Sequence, residues 1–193
     1  MQFDTSDSLL DPREGYRARL ALSPEVSRNN DTNGFYGKAQ FDLAKYQSVT
    51  DGIVMAGRVR VGSIYGADRS QVAPSRRFYA GGGGSVRGYG YRAIGPRDGD
   101  NVANGGLSLL EASIEARIDT PLLDGAVGVV PFLDAGTVST GSTPTLNDIR
   151  FGAGVGARYY TGFGPLRLDV AVPLNRGPDD SWIAVYVALG QAF

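Results

Sequence analysis

Few residues in this chain can do more than build a scaffold, and those few are charged rather than nucleophilic. Its 193 residues include no histidine and no cysteine, so the base that usually activates a serine or cysteine nucleophile is missing. The residue that stands out is Arg87, carried by Val86-Arg87-Gly88-Tyr89 directly behind the run Gly81-Gly82-Gly83-Gly84-Ser85. Downstream, Asp134 is an acid inside the otherwise apolar Phe132-Leu133-Asp134-Ala135-Gly136. A guanidinium fork forms strong, often bidentate hydrogen bonds with carboxylates, so these residue types offer ionic fastening rather than bond making. Glu111 and Glu115 share one strand face and read as charge balance on a wet surface, not as an acid/base pair. No enzyme activity, cofactor or metal is expected.

The elements that must position these groups follow a period of two. Ile183, Val185, Val187 and Leu189 alternate with Ala184, Tyr186, Ala188 and Gly190, and Leu166, Leu168, Val170, Val172 and Leu174 oppose Arg167 and Asp169. Segment 149–160 sets Ile149, Phe151, Ala153, Val155 and Tyr159 against Arg150, Gly152, Gly154, Gly156 and Arg158. Segment 107–119 opposes Leu110, Ala112, Ile114, Ala116 and Ile118 to Glu111, Ser113, Glu115 and Arg117. Weaker alternation at 15–22, 35–47, 52–63 and 126–138 brings the total to about eight strands. Turn signals fall at Asn30 through Gly34, Thr50-Asp51-Gly52, Thr120-Pro121 through Gly125, Gly162 through Pro165, and Asn175 through Asp180. Helical periodicity is absent. Gly152, Gly154 and Gly156 fall at strand period with no helix behind them, so they clear space or let the strand bend rather than cradle a dinucleotide.

The mixed face decides the environment. Burying one unpaired arginine costs several kcal/mol, so a soluble sandwich with this many inward charges is excluded. Two arrangements survive, a sheet with its charged face in water and its apolar face covered by something else, or a barrel with a wet lumen and lipid outside. Since nothing in the sequence supplies a second apolar layer, lipid is the simpler cover. Aromatic residues near segment ends, Tyr16, Phe35, Tyr36, Tyr46, Tyr65, Tyr159, Tyr160, Phe163 and Trp182, suit interfacial girdles. A net charge of -1 and a pI near 5.4 give no field for gathering nucleic acid. The expected fold is therefore all-β, an antiparallel up-and-down transmembrane β-barrel.

Several motifs in order carry a family resemblance. They are Arg76-Arg77-Phe78-Tyr79-Ala80-Gly81-Gly82, Ser85-Val86-Arg87-Gly88-Tyr89-Gly90-Tyr91, Gly95-Pro96, Glu115, Phe132 through Gly136, and Gly164-Pro165-Leu166-Arg167-Leu168-Asp169. Asp11-Pro12-Arg13-Glu14-Gly15-Tyr16-Arg17 resembles the opening of a mid-barrel strand of the same group. Together they resemble the BamA/TamA superfamily of outer-membrane assembly factors, and within it the TamA-like branch. Family barrels have sixteen strands behind periplasmic POTRA repeats. On that pattern, residues 1–193 are one domain, the C-terminal half of the barrel, with the POTRA repeats, first strands and export signal upstream.

The resemblance implies that the long loop 64–106 folds into the lumen and sets Arg87 against Asp134 and Glu115 beside Gly136. It implies an outer-membrane location in a Gram-negative bacterium, the bilayer and client outer-membrane or autotransporter proteins as partners, and a TamB-like periplasm-spanning partner for the full-length protein. The terminal run with Val185, Val187, Leu189 and Phe193 resembles a barrel sorting signal and lies at the lateral seam, where a client strand would pair. A two-partner secretion transporter and a passive small barrel are the competing roles. Alone, eight strands are expected either to close with loop 64–106 outside, or to join a second copy as a homodimer wide enough for Arg87 to reach Asp134.

Overall fold

The computed structural model describes residues 1–28, 33–99 and 101–193. Nine antiparallel strands form one meander in which every strand pairs with its neighbours in sequence. They are β1 (Gln2–Asp4), β2 (Gly15–Arg28), β3 (Asn33–Thr50), β4 (Ile53–Tyr65), β5 (Ser108–Asp119), β6 (Val127–Ser139), β7 (Arg150–Thr161), β8 (Gly164–Pro173) and β9 (Ala184–Leu189). Eight match the segments expected from alternation. The ninth, β1, is three residues paired with Arg17–Arg19, too short to register as a periodic pattern. Among the described residues the only helical pieces are two 3-10 turns, Arg69–Gln71 and Pro74–Arg76. Residues 29–32 of the turn expected at Asn30 through Gly34 lie outside the described residues.

Strand parity sorts the side chains as the sequence pattern requires. On β5 the inward row is Glu111, Ser113, Glu115 and Arg117, all buried, while Ala112 and Ile114 face out. Leu166, Leu168, Val170 and Val172 of β8 and Val185, Val187 and Leu189 of β9 are exposed on the convex face. No second protein layer covers them among the described residues, which is the condition of a lipid-facing surface. Tyr16, Tyr159 and Phe163 are exposed near one end of the sheet and Phe35, Tyr65 and Trp182 near the other, as two aromatic belts. Tyr36, Tyr46 and Tyr160 do not join them: each is one strand position out of phase and points inward, Tyr36 bonding Glu25 and Tyr160 bonding Asp119.

The two-residue turns at 51–52 and 162–163 lie at one end, the base, and the connections 66–107, 140–149 and 174–183 at the other. Closure of the eight strands on themselves with loop 64–106 outside is corrected here. β9 pairs only with β8, and β1 only with β2, so the sheet is an open, curved half-shell. Neither eight-strand closure nor a second copy is needed to seat the loop, because the loop fills the concave side and a tighter barrel would have no room for it. At the base, loop 5–14 links the two edges without strand pairing: the Leu10 carbonyl accepts from the Gln191 amide at 3.1 Å, and Gln191 Nε2 donates to Asp11 at 2.8 Å.

The lipid assignment of the convex face makes a measurable demand. Leu168→Arg, at the middle of β8, should destabilise the protein folded in phospholipid vesicles by about 2–4 kcal/mol. Urea unfolding monitored by tryptophan fluorescence checks it, and a neutral effect would mark this face as wetted by water.

Candidate functional site

The loop between β4 and β5 is ordered by its own small core. Val72, Phe78, Ala80, Val86, Tyr89 and Ile94 pack with Tyr36, Ile64, Leu107, Leu109 and Val138 of the inward face. Three isolated bridges, Phe78 to Gly106, Ala80 to Ile94 and Arg97 to Ala103, hold the loop into nested turns. The glycine run is such a turn, not a linker: Gly82 N donates to the Val86 carbonyl, Ser85 N to the Gly82 carbonyl, and Gly81 N to Ser85 Oγ. Gly81 and Gly82 have φ of 103° and 106°, a region that L side chains avoid. The turn drives Val86 and Arg87 down onto the sheet.

Arg87 is 1 % exposed and lies at the centre of an ionic network. Its Nε and Nη2 donate to the two oxygens of Asp134 at 2.7 and 3.0 Å, and its backbone N–H adds a third bond to Asp134 at 3.0 Å. Nη1 reaches Glu115 at 3.3 Å and Asp169 at 3.1 Å. Nη2 also approaches Ser113 Oγ, whose hydroxyl donates to Asp134. The guanidinium carbon sits 3.4 Å from the centroid of the Phe132 ring, a cation–π platform on the remaining side. Burial favours loss of the Arg87 proton, but the hydrogen bonds and charge of Asp134 and the charges of Glu115 and Asp169 outweigh it, so its pKa is raised above the ordinary arginine value. The group stays cationic throughout the accessible pH range.

The carboxylates are held in turn. Arg117 Nε donates to Glu115 at 2.9 Å and Arg158 Nη1 to Asp169 at 2.6 Å. Close approach of the loop depends on missing side chains beneath it. A Cβ at Gly152 would overlap the Arg87 carbonyl oxygen, and one at Gly136 would come within 2.7 Å of Val86 Cγ2. Gly88 and Tyr89 fasten the loop to the last strands: Tyr186 Oη accepts from Gly88 N at 3.0 Å and donates to the Tyr89 carbonyl at 2.7 Å, while Tyr89 Oη bonds Asn175 at 2.9 Å.

The structure thus brings Val86, Arg87, Gly88 and Tyr89 together with Glu115, Asp134 and Gly136. It does not bring the seam residues to this site. Val185, Val187 and Leu189 point outward on β9, and Phe193 leaves the strand altogether, turning inward to stack on Tyr46 with ring centroids 6.4 Å apart. Three members of the network were not singled out from sequence as partners of Arg87: Asp169, Ser113 and Phe132. Asp169 and Ser113 carried a usable signal, since each sits on the polar face of an alternating strand.

With this geometry in hand, comparison with known proteins is specific. Residues 1–193 match the model of the Omp85 superfamily domain. The chain is 25% identical over 224 residues to the outer membrane protein assembly factor BamA of Neisseria meningitidis serogroup B, covering 97% of this chain and 27% of that protein. It is 30% identical over 149 residues to BamA of Nitratidesulfovibrio vulgaris, covering 74% of this chain and 18% of that protein. A SAM50-like protein of Schizosaccharomyces pombe is 26% identical over 89% of this chain and 38% of its own length. In fold, the crystal structure of BamA from Haemophilus ducreyi lacking POTRA domains 1–3 superposes with a TM-score of 0.73 at 19% identity, over 97% of this chain and 39% of that one. The chain belongs to the Omp85 superfamily. Its family and relatives place it in the outer membrane of a Gram-negative bacterium, and it spans less than half the length of each of these proteins.

Two substitutions probe the site. Arg87→Ala leaves three buried carboxylates without their shared cation and should cost about 3–5 kcal/mol, read from the urea midpoint in detergent micelles. Gly152→Val should lift the loop off the sheet while leaving the strands paired. Trypsin should then cut after Arg87, which the wild-type protein resists, with the circular dichroism of the sheet unchanged.

Proposed function

We propose that this chain is the membrane-embedded part of an assembly factor that inserts client β-strands into the outer membrane, as its similarity to BamA outer membrane protein assembly factors suggests. The observation that carries this reading is the Arg87 network, built from the inward face of a chain that matches the Omp85 domain over its whole length. An ion cluster of this kind contains no nucleophile with a base and gives no reason for hydrolysis. It fixes a large loop inside the shell. The loop is also tied through Tyr186 to β9, whose other edge has no strand partner among the described residues. An unpaired edge facing lipid must be capped or paired, because an orphan backbone donor there costs several kcal/mol. A client strand adding to that edge satisfies it, so the β9 edge is the seam in this reading and the loop is its internal brace.

Within that role we take autotransporters as the favoured clients, with a TamB-like periplasm-spanning partner for the whole protein. Gly88-Tyr89-Gly90-Tyr91 and the Gly164–Asp169 strand support this narrower reading. Periplasmic POTRA repeats upstream belong to the same reading, which treats residues 1–193 as one barrel segment.

Depleting the full-length protein in its host tests the proposal. Surface display of autotransporter passengers, and the amount of heat-modifiable barrels in outer-membrane fractions, should fall about tenfold or more. Loss confined to one secreted soluble exoprotein would identify a two-partner secretion transporter instead. Unchanged barrel levels with altered solute permeability would identify a passive channel and overturn the proposal.

A further inference from the structure

On the concave side, away from the Arg87 network, lies a second concentration of charge that the assembly reading leaves without a role. Strand register aligns Arg19, Asp42 and Arg60 in one row across β2, β3 and β4, and Arg17, Ala44 and Arg58 in a neighbouring row. These residues line a bay of about 410 Å³, walled by Gln2, Gly84 and Phe193. Four arginines meet three carboxylates there, Asp4, Asp42 and Glu111. Ala44 supplies no side chain long enough to fill the middle, so the hollow lies between two cationic columns.

The arginines are unequally satisfied. Arg60 bonds Asp42 at 2.5 Å and Glu111 at 3.0 Å, and Arg17 is held by Asp4 and the Ser6–Leu9 segment. Arg58, only 8 % exposed, donates to the Gly84 and Ser85 carbonyls and lies 3.9 Å from Glu111, yet its buried Nε has no hydrogen-bond partner. Arg19 is exposed and its side chain makes no hydrogen bond or ion pair among the described residues. A buried guanidinium N–H without an acceptor is costly, and a neighbouring free arginine adds attraction for an anion.

We infer that this bay is a binding site for an acidic segment of polypeptide. Its dimensions favour a chain over a small ion. Residues two apart on a strand are separated by about 7 Å, and β2 and β4 by about 10 Å, so one phosphate cannot reach all four guanidiniums. An extended peptide places alternate side chains about 7 Å apart on one face, which matches the spacing of Arg17 to Arg19 and of Arg58 to Arg60. The Phe193 ring, with the Arg58 guanidinium 5.2 Å from its centroid, offers an apolar wall for a side chain between the acids. The inference needs only that the concave face is aqueous, and its test reads binding directly, whatever the outcome of the depletion experiment.

The test is fluorescence anisotropy of fluorescein-labelled hexaglutamate with the purified protein in neutral detergent micelles. Saturable binding is expected, weakening with added salt and falling about tenfold in Arg19→Glu, a substitution that removes no recorded contact. Lys45→Glu, on the outer face, should leave it unchanged. Absence of saturable binding, equal affinity for Arg19→Glu, or comparable binding of hexalysine overturns the proposal. So does full displacement by millimolar inorganic phosphate, which would mark a small-anion site, or by phosphatidylglycerol in the micelles, which would mark a lipid headgroup site.

Discussion

A cation removed from water must be paid back in full by its surroundings, and Arg87 is such a cation. Its desolvation alone is worth several kcal/mol, and no single carboxylate with one or two hydrogen bonds satisfies all its donors. Asp134 takes the fork and the backbone N–H, Glu115 and Asp169 share the remaining nitrogen, and Phe132 covers a face. These groups come from β5, β6 and β8, so the network closes only when those strands are in register and curved toward one another. The ion cluster thereby ties loop conformation to sheet curvature. Loss of either would leave charges buried without partners.

Placing three acids beneath one arginine requires that the same strand faces carry charge throughout, and that in turn requires water or protein on the concave side and lipid on the convex side. The convex rows of leucine, valine and isoleucine meet that condition. The loop core around Val86, Phe78 and Ile94 excludes water from the upper part of the shell, which strengthens the ionic contacts below it. Glycines at 136 and 152 permit this packing because the loop backbone occupies the volume where side chains would stand. Loop, glycines and acids therefore form one structural unit, and the fold is an arrangement for keeping that unit intact inside an open shell.

The base of the shell is organised differently. Loop 5–14 and residues Gly190 to Phe193 meet there, with Arg117 Nη1 donating to the Pro12 carbonyl at 2.7 Å and Arg158 Nε donating to Gln191 at 2.7 Å. Arg117 and Arg158 also hold Glu115 and Asp169, so the base contacts and the Arg87 network share two side chains. Through Tyr186 the loop touches the last strand as well. The edge proposed as a seam is thus joined to the buried cation by short chains of hydrogen bonds from two directions.

Alternation in the sequence determined which eight long segments are strands, which side of each carries charge, and that one side must meet lipid; parity is a local property, set by the geometry of an extended chain. Residue types singled out Arg87 and Asp134, because an arginine behind a glycine run and an acid on an apolar strand are conspicuous without any fold, whereas Glu115 and Gly136 came only with the family resemblance. Tertiary structure alone decided the rest. Asp169 joins the site because curvature brings β8 toward β5 and β6, and Phe193 turns inward, where its ring meets Tyr46, Arg58 and Arg117 from three other strands. Which strands stay unpaired was likewise decided in three dimensions, since β9 pairs only with β8 and β1 only with β2 while the loop fills the concave side. None of these outcomes is periodic in the chain, since each depends on distances between residues far apart in sequence.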